Sequence, residues 1–263
     1  MNDLQFGDVS VQLDQHVGLV EIHRPPHNHF DGQLIKDLAD AFESMERERE
    51  CRAIVLMSEG KSFCAGANFH RSGPGVDPEP AVGPGVSYLY GQAIRLFEFE
   101  KPIVAAIQGA AVGGGLGLAL VADFRVVSPE ARLAANFVKL GIHPGFGLTY
   151  TLPRLVGDQA ANLMFLTGRR ITGEQAVELG LADVLAAPDA LRAEAKKLAD
   201  EIAQGAPLAV RSTRATLRRG LVEAIKLHTD HELAEQLRLM QTEDHKEGVL
   251  SVSERRPGRF TGR

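Results

Sequence analysis

The chain has 263 residues, 44% hydrophobic and 24% charged, which fits a globular protein with a full core in one domain or two. A formal net charge of −5 leaves no general basic footprint, which argues against nucleic acid and anionic membrane surfaces as partners. The two cysteines, Cys51 and Cys64, make neither a disulfide framework nor a metal-type spacing, and no secretory or membrane-spanning pattern is seen, so a cytoplasmic protein is expected.

In chain order, "VSVQLDQHVGLVEIH" (9–23) alternates apolar and polar residues around Asp14–His16 and predicts a β-hairpin. After "RPPHNHF", Asp31 is placed to N-cap a helix whose apolar positions Leu34, Leu38, Ala41, Phe42 and Met45 share one face. The "ERERE" run at its end reads as a solvated face. The continuous apolar run "AIVLMS" (53–58) predicts a strand buried on both sides, followed by the loop "EGKSFCAGANF". That loop is not a phosphate-binding P-loop, because the glycine required five residues before Gly60 is Val55. Residues 72–86 are rich in glycine and proline and predict a surface loop. A helix over about 86–99 and a strand over 103–107 follow.

Next comes "VAAIQGAAVGGGLGLALVAD" (104–123), in which Gly113–Gly115 and Gly117 open a helix expected to reach Ala122. Counting from Gly113, the last glycine of a dinucleotide fingerprint would fall at Leu118, so a Rossmann site is unsupported. Two readings of the run stand side by side. The bare backbone at a helix start can offer free N–H groups to a carbonyl oxygen that gains negative charge during a reaction. Alternatively the glycines only permit close helix-to-strand packing. A strand "FRVVS" (124–128) follows, and the alternation of strands and helices predicts an α/β architecture with largely parallel pairing. From about residue 188 helical periodicity dominates, broken near Gly205–Pro207 and Gln241–Thr242.

The segments "KPIVAAIQGAAVGGGLGLALVADFRVV", "KSFCAGANF", "LGIHPGFGLTYTLPRLVG", "LTGRRITGEQAVELGLAD" and "EDHKEGVLSVSERRPGRF" resemble, in order and spacing, the crotonase (enoyl-CoA hydratase/isomerase) superfamily. The resemblance implies an α/β fold: a crotonase-like spiral of ββα units over 1–200 with the acyl-CoA site, and a helical oligomerisation subdomain over 201–263. It also implies a homotrimer or dimer of trimers and an acyl-CoA substrate, with no cofactor beyond the coenzyme A that belongs to the substrate, and no metal. Two backbone amides, of Ala67 and Gly114, would hold the thioester oxygen, and a side chain at Gly114 would intrude on the thioester. The backbone of Cys64, Ala65 and Gly66 would face adenine, Arg24 to Asn28 would flank the CoA arm, and Arg255 would reach a neighbour's CoA phosphates.

The sequence departs from the family where its hydratases carry two glutamates, for here these positions hold Gly117 and Phe137. Neither transfers a proton, so paired-carboxylate catalysis is not available. His143 and Tyr90 are the substitute acid–base candidates, with Asn136, His70 and Arg71 as further neighbours, and the acyl pocket is expected to be dry and apolar. Three outcomes stay open: hydratase or isomerase chemistry through a thioester enolate, isomerisation or decarboxylation without glutamates, and acyl-CoA binding without turnover.

Overall fold

The computed structural model describes residues 4–67 and 84–263. Its first strands, β1 (Leu4–Phe6), β2 (Val9–Asp14) and β3 (Val17–Ile22), form an antiparallel meander, so the expected hairpin carries an extra edge strand. His23 ties this meander to the turn after the next strand, meeting Ser10 Oγ at 2.7 Å and Glu59 Oε2 at 3.0 Å. Helix α1 (Gly32–Arg47) starts as its sequence predicts, with the Asp31 carboxylate accepting from Leu34 N–H at 2.8 Å. All five of its predicted apolar positions are buried. The charged run is less solvated than expected at one position, since Glu46 is bound by Arg211 at 2.9 Å.

Then a unit repeats. A long strand enters one sheet, a short strand enters a second, and a helix returns the chain. The units are β4 (Ala53–Ser58), β5 (Ser62–Cys64) and α2 (Pro84–Glu98), then β6 (Ile103–Ile107), β7 (Ala110–Val112) and α3 (Gly114–Ala119). The third has β8 (Phe124–Val127), β9 (Arg132–Ala134), a 3-10 turn (Phe137–Leu140) and α4 (Leu148–Thr167). After it come β10 (Arg170–Thr172), α5 (Gly173–Glu178) and β11 (Val184–Leu185). Among the described residues the sheets run β1-β2-β3-β4-β6-β8-β11 and β10-β9-β7-β5. The orders 4-6-8 and 5-7-9 march together, so each unit is displaced by one strand from the last, which is the expected spiral.

Two boundaries differ from expectation. Helix α2 begins at Pro84, inside the stretch read as loop, because proline is well suited to a first helical turn. Helix α3 stops at Ala119 rather than Ala122, and Asp123 just beyond it accepts from Ile103 N–H at 2.8 Å, pinning the chain to β6.

Helix α6 (Leu191–Ala203) lays Leu191, Ala195, Ala199 and Ala203 over Val55, Val104 and Val126 of the large sheet. The division expected after residue 200 therefore falls within a helix that covers the core. Beyond it, α7 (Pro207–Leu217) is moored by Arg214, and the residue after its end by Arg218, both 2.8 Å from Asp123. Helix α8 (Leu221–Leu239) starts after Gly220, whose φ of 77° breaks the periodicity that the sequence carries through this region. It packs on α2 and α4, while α9 (Glu243–Ser253) packs on the 3-10 turn. The tail thus folds back on its own chain. Among the described residues no helix is long and apolar enough to cross a membrane.

Candidate active site

Three segments converge at one end of the small sheet: 24–30, 64–67 and 113–117. The first two are laced by backbone. Ala65 N–H donates to His27 O at 3.0 Å, Phe30 N–H donates to Gly66 O at 3.2 Å, and Phe30 pairs with Ala67 in a parallel bridge. Asn28 is fully buried with φ of 51°, accepts from Arg24 N–H, and donates at 2.7 Å to both Glu59 O and Ser62 O. Gly66 (φ 86°) brings the loop against the glycine run: a Cβ there would lie 2.7 Å from Val112 O and 4.0 Å from Gly114 N. The loop that carries Ala67 therefore adjoins the start of α3 at Gly114.

Three glycines of the run admit a neighbouring part of the protein where a side chain would stand, and Gly113 supplies a left-handed backbone. Gly113, the N-cap residue of α3, has φ of 58° and donates its N–H to Ala134 O at 2.8 Å. A Cβ on Gly115 would overlap Cys64 O, and one on Gly114 would overlap the Phe30 ring. At Gly117 it would lie 2.6 Å from Phe146 Cβ. The space expected to serve a thioester beside the Gly114 Cα is thus occupied by a phenyl ring. Close packing, one of the two readings of the run, holds at Gly114, Gly115 and Gly117. Of the first-turn N–H groups, that of Gly113 donates to Ala134 O and that of Leu116 to Gly113 O at 3.0 Å, so the ones of Gly114 and Gly115 are the separate resource.

The surroundings are aromatic. Phe146 is 1% exposed, and its ring centroid lies 5.8 Å from that of Phe30 and 6.5 Å from that of Phe97. Phe137, also buried, presents its ring edge to Gly113, and Asn136 Oδ1 lies alongside. Phe146 adopts φ of 64°, a left-handed conformation unusual for a bulky residue.

What holds it there is a polar layer behind the rings. Gly147 N–H donates to Glu232 Oε2 at 2.8 Å, while Thr149 donates its N–H and its hydroxyl to Glu232 Oε1 at 3.0 and 2.6 Å. Tyr90 Oη donates to Gln236 Oε1 at 2.8 Å, and Gln236 Nε2 donates to His143 O at 2.9 Å. Burial pushes the Glu232 carboxyl above its ordinary value, partly countered by the hydrogen bonds from Thr149 and Gly147. Burial, and then the Glu232 charge, push the Tyr90 hydroxyl well above its usual value. Tyr90 is therefore a fixed donor to Gln236. The His143 ring lies edge-on to His231 on α8, with centroids 5.7 Å apart, and its Nδ1 is 2.8 Å from Pro144 O. That contact favours the tautomer with hydrogen on Nδ1 and a basic Nε2. Sequence reasoning singled out Tyr90 and His143 but missed Phe30, Phe146, Glu232 and Gln236. A phenylalanine between two glycines in "HPGFGL", and a Glu–Gln pair four residues apart within a helix, were the signals available.

Of the residues expected around coenzyme A, those of 24–28 and 64–66 lie on the two laced segments. Arg24 is gripped by Asp8 and, at 2.8 Å, by Asp31, so its guanidinium fastens the hairpin to the N-cap of α1. Asn28 has the structural engagements given above. Cys64 is buried, which pushes its thiol up to about 12. Arg255 is exposed after α9. His70 and Arg71 lie outside the described residues, as does most of the predicted glycine–proline loop. Two open clefts lie elsewhere. One of about 240 Å³ is lined by Met57, Gln108, Asp189 and Arg192, and one of about 160 Å³ by Phe97, Arg125 and Leu217. Neither is lined by Ala67 or Gly114.

The family model described as enoyl-CoA hydratase/isomerase matches residues 12–263. The chain belongs to this family. It is 33% identical over 257 residues to a probable enoyl-CoA hydratase of Bacillus subtilis, covering 97% of this chain and 98% of that one. It is 35% identical over 260 residues to the (E)-benzylidenesuccinyl-CoA hydratase of Thauera aromatica, covering 97% and 99%. Among solved structures, the enoyl-CoA hydratase/isomerase of Pseudoalteromonas atlantica superposes with a TM-score of 0.84 at 28% identity, covering 97% of this chain and all of that one. The spiral of ββα units is accordingly the fold of the enoyl-CoA hydratase/isomerase family, here with an aromatic plug over Gly117.

Proposed function

We propose that the protein is an enzyme that processes an acyl-CoA thioester through an enolate, with the N–H groups of Ala67 and Gly114 holding the thioester oxygen. The observation that carries this reading is the meeting of the Gly66–Ala67 loop with the start of α3 in a site walled by phenyl rings. In such low-dielectric surroundings an amide aimed at a developing oxyanion is commonly worth a few kcal/mol of barrier. Position 117 is closed by Phe146 and position 137 is apolar, so proton transfer falls to other groups. His143, with Nε2 as the basic atom, is the candidate acid–base group, and Tyr90 positions the loop.

The reading extends to a homotrimer or dimer of trimers working in the cytoplasm. Leu166, Leu208, Leu217 and Leu227, each at least 72% exposed, are apolar surface that such an assembly would cover. Sedimentation velocity checks it: a monomer at micromolar concentration removes that part.

Turnover of crotonyl-CoA far below that of ordinary hydratases is the expected outcome, together with measurable binding of CoA esters by calorimetry. Hydratase-like turnover would mean that water is activated by groups outside those named. A second reading, acyl-CoA binding without chemistry, is favoured by the absence of a carboxylate at both 117 and 137. Binding with no product from a broad thioester panel, read by mass spectrometry, selects it.

A further inference from the structure

On the face of the large sheet that α6 covers, three side chains meet that the acyl-CoA reading does not use. Val17 of β3 and Val55 and Met57 of β4 pack toward α6. The two-residue period of a strand carries Glu21, His23 and Glu59 onto that same face, and Ser10 joins them because it stands directly opposite Glu21 in the β2–β3 register. Val20 and Ile22, on the other face, belong to the core cluster that holds Leu116 and Phe146. Backbone bonds from His23 N–H to Asp8 O at 2.8 Å and from Glu59 N–H to Ile22 O at 2.9 Å set the imidazole beside the carboxylate. Ser10 Oγ then lies 2.7 Å from His23 Nε2, and His23 Nδ1 lies 3.0 Å from Glu59 Oε2. A carboxylate only accepts, so Nδ1 carries the hydrogen of the neutral ring, Nε2 is left basic, and the Ser10 hydroxyl donates to it. A hydroxyl held on a basic imidazole nitrogen, with a carboxylate orienting the other nitrogen, is the arrangement that activates an oxygen nucleophile. The trio borders the cleft of about 240 Å³: Ser58 and Gly60, on either side of Glu59, line it, as does Arg192, which binds Glu21 and donates to Ser58 O at 3.0 Å. The His23 side chain is 34% exposed, so solvent reaches the imidazole.

We infer that Ser10 is a nucleophile, with His23 as its general base and Glu59 as the residue that positions the imidazole, and that this second centre takes the acyl group of small activated esters or thioesters. Ser10 Oγ bonds to the carbonyl carbon as its proton passes to His23 Nε2. The bond from that carbon to the leaving oxygen or sulfur then breaks, and the leaving group takes the proton from His23. The products are acyl-Ser10 and an alcohol or thiol, and water entering by the same route releases the acid and restores the hydroxyl. The centre is independent of the Ala67 and Gly114 amides.

Rapid mixing with p-nitrophenyl acetate, followed by mass spectrometry of the quenched protein, tests it. The wild-type protein gives a burst of nitrophenolate and carries an acetyl group on Ser10. Ser10→Ala removes both. In His23→Ala the rate of Ser10 acetylation falls about a hundredfold, as expected for loss of a general base. Glu59→Gln lowers that rate less, and Glu59→Asp, which keeps the carboxylate, recovers part of it, whereas a merely structural Glu59 would leave the rate unmoved. If His23→Ala does not fold by circular dichroism, His23→Gln gives the same loss. A wild type without a burst, acetyl groups on lysines or cysteines but not on Ser10, or Ser10 acetylation at an equal rate in a folded His23 variant overturns the inference and leaves the acyl-CoA reading standing.

Discussion

Two buried regions meet at the 143–149 loop and are built on opposite principles. On one side Phe30, Phe97, Phe137 and Phe146 crowd the glycine run, and the backbone approaches so closely that Cβ atoms are forbidden. On the other, α8 presents Glu232 and Gln236, both buried and both hydrogen-bonded to the loop or to Tyr90. The aromatic side is dry and closely packed, and its phenyl rings move no proton. The polar side has a titratable carboxylate, yet three donors hold it in a structural task. The aromatic cluster is thus separated from the buried acid by the thickness of one loop.

Introducing a carboxylate on the aromatic side tests that separation most severely. Gly117→Glu places a side chain 2.6 Å from Phe146 Cβ and a charge among rings, and a loss of about 3 kcal/mol in urea unfolding is expected. A stable Gly117→Glu protein with raised crotonyl-CoA hydration would mean that the plug yields easily. Removing the acid from the polar side comes next. Glu232→Ala strips acceptors from two backbone N–H groups and a hydroxyl, for about 2 kcal/mol by the same measurement.

Arg24→Ala sharpens the contrast from outside both regions. With Asp8 and Asp31 as its partners it should cost about 1 kcal/mol or less and leave coenzyme A affinity unchanged. A tenfold weaker affinity without loss of stability would return Arg24 to the CoA arm. The smallest effect is a slope. Because the Glu232 carboxyl titrates above its ordinary 4.5 when folded, the folded protein holds the proton more tightly than the unfolded chain. Its contribution is fully present below pH 4.5 and is lost as pH rises through the raised value. Wild type should therefore lose stability relative to Glu232→Gln across that interval, and parallel curves in urea titrations at several pH values would contradict it.

Much of the scaffold was legible because it rests on local or periodic signals. Asp31 announces α1, the alternation from Val9 to His23 announces the hairpin, and the uniform apolar run at 53–58 announces a strand covered on both faces. The resemblance carried the family and its spiral. The break at Gly220 and the placement of α6 were less visible, since amphipathic periodicity shows that a helix has a buried face but not which surface covers it.

The sequence by itself determined the alternation of elements and the family, because these depend on residue type and spacing along the chain. Only the tertiary structure decided what the glycines are for and where the buried acid points. Phe30 and Phe146 reach Gly114 and Gly117 from distant parts of the chain, and Glu232 reaches Gly147 across 85 residues. The physical reason is that close packing and the satisfaction of buried polar groups are pairwise conditions in space, which composition and period along one chain do not encode.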